Sequence, residues 1–399
     1  MASNADNFNF VTISDLDLDN SQKNAMQINP KGYDQDNDMD KKTFNNIMDA
    51  ISKTISKTDS KPEFILYLGN IVGHTNFIEN FLHRERFVRS NEEMYFKKIL
   101  KNNPDTPIIN VFGNSDSTEA NYGKFEYEKV SPYTIAMDSG FKNGFLSTGV
   151  KCDTDNKNQV YPCLENENTK YGFFTIYLKK NLTLIAMNSV MFSPKSDEDN
   201  LGIFREFSFL TNQLERAEIN KDKVIIAMHV PVGNNVRDGS NYWTKYNNEE
   251  FLHLLSKHKG IIQMILVGQH MEEFKKLNFN GKRIGEYFTA SLSTKYGNSP
   301  SFKIFNMANT DGKWSVNNYT TYQDHNTKGK PVFTKYYSFA KTDCNKAKYK
   351  KDINNCLNGI LFEDTLPKYT VGNPNDKIFI AKSSKDFIIN VDKYDNVIT

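Results

Sequence analysis

Apolar positions along this chain come in two kinds of run that alternate. Residues 8–18, FNFVTISDLDL, run largely apolar and then stop at acidic positions, which predicts a strand ending in a loop. Residues 41–58 carry Phe44, Ile47, Met48, Ile51 and Ile55 at helical spacing, ahead of Lys61-Pro62. Residues 64–68 are apolar at every position and closed by Gly69, the mark of a strand buried on both faces. A helix is expected over about 92–101 and a further buried strand over 107–112, closed by Gly113-Asn114. The order β-α-β-α-β argues for a layered α/β fold.

The pattern continues. Two β-rich runs, 173–178 and 182–187, flank a tight Lys179-Lys180-Asn181 turn and predict a hairpin. An amphipathic helix is expected over 207–217, a strand over 223–228 ending at His229, a helix over about 248–257, and a buried strand over 261–267 closed by Gly268. Hairpins are expected around 283–291 and 301–306. From about residue 324 the chain turns polar and Lys-rich, which divides it into a main domain, 1–323, and a small C-terminal subdomain, 324–399. The Asp/Asn-rich stretch 30–42 reads as a surface loop, and His253 and His258, on a helix, read as surface residues.

Composition narrows the function classes. The 399 residues can bury a large core, and 50 basic against 48 acidic residues leave a net charge of +2, so a nucleic-acid polymer is not an expected partner. The basic run 346–351 reads as a solvated face. No stretch of about 18 apolar residues exists to span a membrane. The N-terminal MASNADNFNF has neither the basic nor the apolar region of a signal peptide, so either the protein is cytosolic or the numbering begins after a removed leader. Cysteine usage favours the second option, a secreted or periplasmic protein. Cys152 and Cys163, and Cys344 and Cys356, form two short-range pairs that suit two disulfides and no zinc site.

Five apolar strands each end in a polar cluster: Asp15-Leu16-Asp17; Gly69-Asn70 with His74; Gly113-Asn114-Ser115-Asp116; His229; and Gly268-Gln269-His270. In α/β sheets, sites form beyond the carboxyl ends of strands, so five equivalent clusters point to one shared site. In order and spacing they resemble the calcineurin-like metallophosphoesterases, whose motifs are Asp-x-His, Gly-Asp, Gly-Asn-His, a lone His and Gly-His-x-His. The acid-sphingomyelinase-like phosphodiesterase branch fits best. Its Gly-Asp motif carries a His four residues on, as Asn70 is followed by His74. Its middle and late strands resemble KYGFFTIYLKKNLTLIAMNS, IIAMHVPVG, YGNSPSFKIFNM and NNYTTYQ. The resemblance covers roughly residues 8–322 and implies a four-layer β-sandwich flanked by helices.

Such enzymes hold two divalent cations about 3.5–4 Å apart, which bind the phosphate and activate water. At an effective dielectric of about 20 their bare repulsion is roughly 19 kcal/mol, offset chiefly by a bridging Asp carboxylate and hydroxide. Mapped onto this chain, the resemblance implies metal positions at Asp15, Asp17, Asn70, Asn114, His229 and His270, and catalytic positions at His74 and Ser115. Asp17 stands in for a His and can still ligate. Asn70 replaces the bridging Asp with a neutral amide, and Ser115 replaces a His that would move protons. One of the two His of the last motif survives, and the frame there is ambiguous by one residue. The set suits one divalent ion (Zn or Mn) or none. Two expectations follow: an impaired scaffold that binds a phosphate-containing small molecule or a protein, or an active divergent phosphodiesterase acting on nucleotides or phospholipid head groups.

Overall fold

A computed structural model describes residues 7–21, 38–58, 61–74, 81–138, 150–153, 159–235, 239–268, 273–279, 282–293, 299–324, 330–344, 349–360 and 388–391. Strands β1 (Phe8–Ile13), β2 (Ile65–Leu68) and β3 (Ile108–Val111) run parallel. They form one half of a sheet that includes three later strands. A second sheet is built from β4 (Cys163–Asn168), β5 (Phe173–Lys179), β6 (Leu182–Ala186), β7 (Lys223–Met228), β8 (Ile262–Val267), β9 (Phe274–Phe279) and β10 (Lys282–Phe288). The first sheet is completed by β11 (Ser301–Thr310), β12 (Lys313–Asp324) and β13 (Phe333–Ser338), and β14 (Ile388–Asn390) joins the second. Among the described residues the first sheet has the order β13-β12-β11-β1-β2-β3, and the second β14-β9-β10-β8-β7-β6-β5-β4. The layered sandwich expected from the sequence is present.

Alternation along the strands explains the layering. On β7, Ile225 and Ala227 face the core between the two sheets, while Val224, Ile226 and Met228 face a second core. That second core is closed by the helices α4 and α5 described below; strands clothed on both faces have to be apolar throughout. The outer face of the first sheet receives α1 (Lys41–Ile55), whose Phe44, Ile47, Met48, Ile51 and Ile55 are buried at the spacing seen in the sequence. Asp40 caps α1 by accepting a hydrogen bond from the Thr43 amide, at 2.7 Å. Next come α2 (Phe81–Asn102), the short α3 (Pro132–Ala136), α4 (Asn200–Asn220), α5 (Lys245–Lys257) and α6 (Phe339–Asp343).

Several boundaries differ from the sequence reading. Helix α2 begins at Phe81 rather than near 92, because its buried face includes Arg84, Asn91 and Glu92, polar residues that break the apolar period. Residues 283–291 and 301–306 contribute single strands rather than hairpins. β10 pairs with the preceding β9, and β11 with the following β12. Asp38, Met39 and Asp40, expected on a surface loop, are buried, as is His258. The described part of 324–399 adds β13 to one sheet, β14 to the other, and a 3-10 helix, Ile353–Gly359, that lies against β10.

Both expected disulfides are formed, Cys152–Cys163 and Cys344–Cys356, which suits an oxidising, extracytoplasmic compartment. No helix among the described residues is long and apolar enough to cross a membrane.

Candidate metal centre

The parallel strands of both sheets end on the same side, and their polar clusters meet there. Asp15 follows β1, Asn70 follows β2, Asn114 and Ser115 follow β3, and His229 follows β7. His229 comes from the second sheet, yet its Nδ1 lies 2.6 Å from the carbonyl oxygen of Leu68 in the first. Nδ1 donates to that carbonyl, and Nε2 faces Asn114 Oδ1 (3.0 Å) and Asp15 Oδ1 (3.8 Å). A metal-ligating His is held by the same kind of carbonyl contact. The close fit depends on glycines. A Cβ on Gly69 would sit 2.6 Å from His229 Nδ1, and one on Gly268 would meet Ser14 Oγ at 2.5 Å. Gly69 also has φ of +96°, a conformation costly for any other residue.

Asp15, Asp17 and Asn70 all adopt left-handed backbone conformations, with φ between 47° and 60°. Such strain persists where the surroundings over-determine it. Here the surroundings are backbone hydrogen bonds: the Asp15 amide donates to Gly69 O (2.9 Å) and the Asp17 amide to Asn70 O (3.1 Å). Asp116 completes the frame. Its carboxylate accepts from the amides of Asn70 (2.9 Å), Gly113 (2.7 Å) and Val72 (3.1 Å). Burial pushes its ionisation upward, opposed by those donors and by His229. Arg84 braces the same loop from α2, donating to the carbonyls of Ser115 and Ser117, and burial lowers its ionisation to about 10. This explains why an Arg is buried on the inner face of α2.

At the bridging position, the orientation of the Asn70 amide is fixed by its neighbours. The Ser115 amide donates to Asn70 Oδ1 at 3.0 Å, so the other end of the side chain, Nδ2, faces Asp15 and donates to its Oδ1 at 3.1 Å. Asn70 thus presents N–H, not oxygen, to the centre. A cation cannot bind there, and the N–H already satisfies the Asp15 charge that a cation would neutralise. The second Asp15 oxygen accepts from Ser14 Oγ at 2.5 Å. Ser115 Oγ is buried and donates to the Val72 carbonyl at 2.5 Å, turned away from the centre. The residues do not fit a dinuclear cluster bridged at position 70.

Asp17 and His74 also form a cluster with Asp38. One ligand atom from each of the three lies within 4.8 Å of the others. His74 Nδ1 is 3.3 Å from Asp38 Oδ1 and 3.9 Å from Asp17 Oδ1, and both carboxylates are buried. Ligand atoms about 2.0–2.2 Å from one metal sit roughly 3–3.6 Å from each other, so this trio fits a single ion with little adjustment. Asp38 had no signal in the sequence: it lies in a polar stretch with no motif. Gln269 and His270 fall outside the described residues.

Behind the centre, Glu92 of α2 is fully buried and its carboxyl oxygens have no hydrogen-bond partner among the described residues. Burial holds its ionisation well above the usual carboxylate range; Asp116 adds to the shift and Arg89 opposes it. The folded protein therefore keeps a proton that the unfolded chain releases above about pH 4.5. Stability is full below that pH and falls as pH rises, by about 1.4 kcal/mol per unit for this group. Glu206, buried likewise, adds to the slope. Glu92→Gln is expected to flatten this dependence between pH 5 and 8 in urea titrations. An unchanged slope would mean that Glu92 is ionised in the fold.

No family model matches the chain. Over 176 residues it is 29% identical to a Bos taurus protein named cyclic GMP-AMP phosphodiesterase SMPDL3A, a match covering 40% of this chain. The chain spans about two fifths (39%) of the length of that relative. Among solved structures, a dimetal phosphatase from Danio rerio is 11% identical, with a TM-score of 0.49 over 83% of this chain and 99% of the other. A 5'-nucleotidase from Candida albicans is 12% identical, with a TM-score of 0.36 over 74% and 46%. The two mixed sheets flanked by helices form the metallophosphoesterase sandwich, and among the described residues Asp17, Asp38 and His74 make up a partial metal-ligand cluster.

Proposed function

We propose that this chain is an acid-sphingomyelinase-like phosphodiesterase homologue that has kept the scaffold and given up two-metal hydrolysis, and that it serves to bind a phosphodiester-bearing small molecule. The observation that carries this reading is the Asn70 amide, whose N–H points at Asp15 where a bridging oxygen would be needed. A metal pair supplies both the nucleophile and the charge neutralisation in such hydrolysis. Without its bridge, and with Ser115 in place of a proton-moving His, both contributions are lost. A single divalent ion held by Asp17, Asp38 and His74 would give the ligand's phosphate a positive anchor. The name of the bovine relative favours a nucleotide as ligand class over a phospholipid head group.

The test is elemental analysis after dialysis against Zn or Mn, paired with hydrolysis of bis(p-nitrophenyl) phosphate. We expect at most one ion per chain, lost in Asp38→Ala, and no hydrolysis above background. Two ions per chain with turnover abolished by Asp15→Ala would overturn the reading in favour of an active divergent phosphodiesterase.

A further inference from the structure

On the outer face of the first sheet, away from the strand-end centre, a cavity of about 690 Å³ opens between α1 and strands β11–β13. Its floor is ordered. Asn9 on β1 pairs in register with Asn306 on β11, which pairs with Asn318 on β12, so three side-chain amides cross three adjacent strands in one row. The next row brings Ile304, Thr320 and Ser338 together. Asn318 is held in place, donating to Ser338 Oγ (3.1 Å) and accepting from the Ala340 amide (2.8 Å).

The walls carry one sign of charge. Lys53 and Lys57 come from the C-terminal end of α1 and from just beyond it, and Lys335 and Lys341 from the opposite side; all four are exposed. No Asp or Glu is among the described residues that line it. Opposition to the helix dipole explains Lys53 and Lys57, but not the two lysines facing them. In a chain of net charge +2, four lysines around one concave polar surface are a local concentration, and concave walls strengthen the field they produce. The volume is that of a small-molecule site.

We infer that this groove is a second binding site, for a small molecule carrying at least two negative phosphate charges. The lysines neutralise the phosphates, and the amide and hydroxyl floor hydrogen-bonds the remainder. The inference does not rest on the reading of the strand-end centre, and the two are separable because the groove uses no metal.

Calorimetric titration with inorganic pyrophosphate and with ATP, in EDTA, tests it on the full chain. We expect saturable binding that weakens about tenfold or more in a Lys53→Gln/Lys57→Gln/Lys335→Gln/Lys341→Gln variant and is unchanged in His229→Ala. Raising the salt concentration should weaken it too. The four side chains are exposed, so the variant should fold, and circular dichroism checks that. Absence of saturable binding of either probe overturns the inference. So does binding that survives the four substitutions, or binding that His229→Ala removes.

Discussion

Lys303→Met is expected to destabilise the protein by about 3–5 kcal/mol, the largest single-residue effect on stability that we anticipate. Lys303 on β11 and Glu273, just ahead of β9, are fully buried and form an ion pair between the two sheets. Thr321 on β12 joins them, accepting from Lys303 Nζ at 2.7 Å and donating to Glu273 Oε2 at 2.8 Å. Burial lowers the Lys303 ionisation, and Glu273 opposes that shift. Removing one partner leaves the other charge in the core without compensation. Replacing both, as Lys303→Met with Glu273→Leu, removes the desolvation cost along with the attraction, so the double variant should regain most of the loss. Urea unfolding at pH 7 reads both. A loss under 1 kcal/mol for Lys303→Met would show that the pair is solvated.

The same lysine shows where the sequence stops being legible. Residues 301–306 read S-F-K-I-F-N, and a strand rule that turns charge toward water puts Lys303 outside. In the structure Lys303 shares the inward side with Phe305, which stacks on Phe10, and Ile304 and Asn306 line the outer groove. The partner that makes burial tolerable is 30 residues away and has no local mark. Arg84 and Glu92 hid the first half of α2 for a related reason: their surroundings are the β3 loop and Asp116, not a hydrophobic stripe. Strands β2, β3, β7 and β8 were legible because both of their faces are covered, so their apolar runs have no other reading. β9, β4 and β13 mix charged and apolar residues along sheet edges or around the buried pair, and no simple period marks them.

For the site, the chain order of motifs pointed to Asp15, Asn70, Asn114 and His229 as a group, and the fold brings the four side chains together because each follows a parallel strand. The motif order did not separate Asp17 and His74 into their own cluster with Asp38. That division depends on how the chain turns after Asp15. Left-handed residues at 15 and 17, on either side of Leu16, accompany that division, with Asp15 against Asn70 and His229 and Asp17 against His74.

Asn70→Asp should convert this region from metal-indifferent to metal-dependent. The new carboxylate would keep the Ser115 amide as donor through one oxygen and face Asp15 with the other, about where Nδ2 now sits 3.1 Å from Asp15 Oδ1. Two carboxylates that close repel by roughly 5 kcal/mol at an effective dielectric of about 20, so one will hold a proton well above pH 4. A rise of about two pH units in folded-state ionisation corresponds to about 2.7 kcal/mol. The folded variant then binds more protons than the unfolded chain. The cost is absent below about pH 4, grows as pH rises through the raised value, and is complete above it. Divalent Mn or Zn should restore the variant at pH 8, because a cation binds the folded state alone, and should raise its midpoint by more than that of wild type, whose position 70 offers the ion an N–H rather than an oxygen. Hydrolysis should stay at background even then, since Ser115 Oγ, at the position of the proton-moving His, remains turned toward Val72. A variant as stable as wild type at pH 8 without metal would mean that the Asn70 amide does not fill the bridging position. Strong phosphodiester hydrolysis from this one substitution would mean that the rest of the machinery is intact and that position 70 alone silences it.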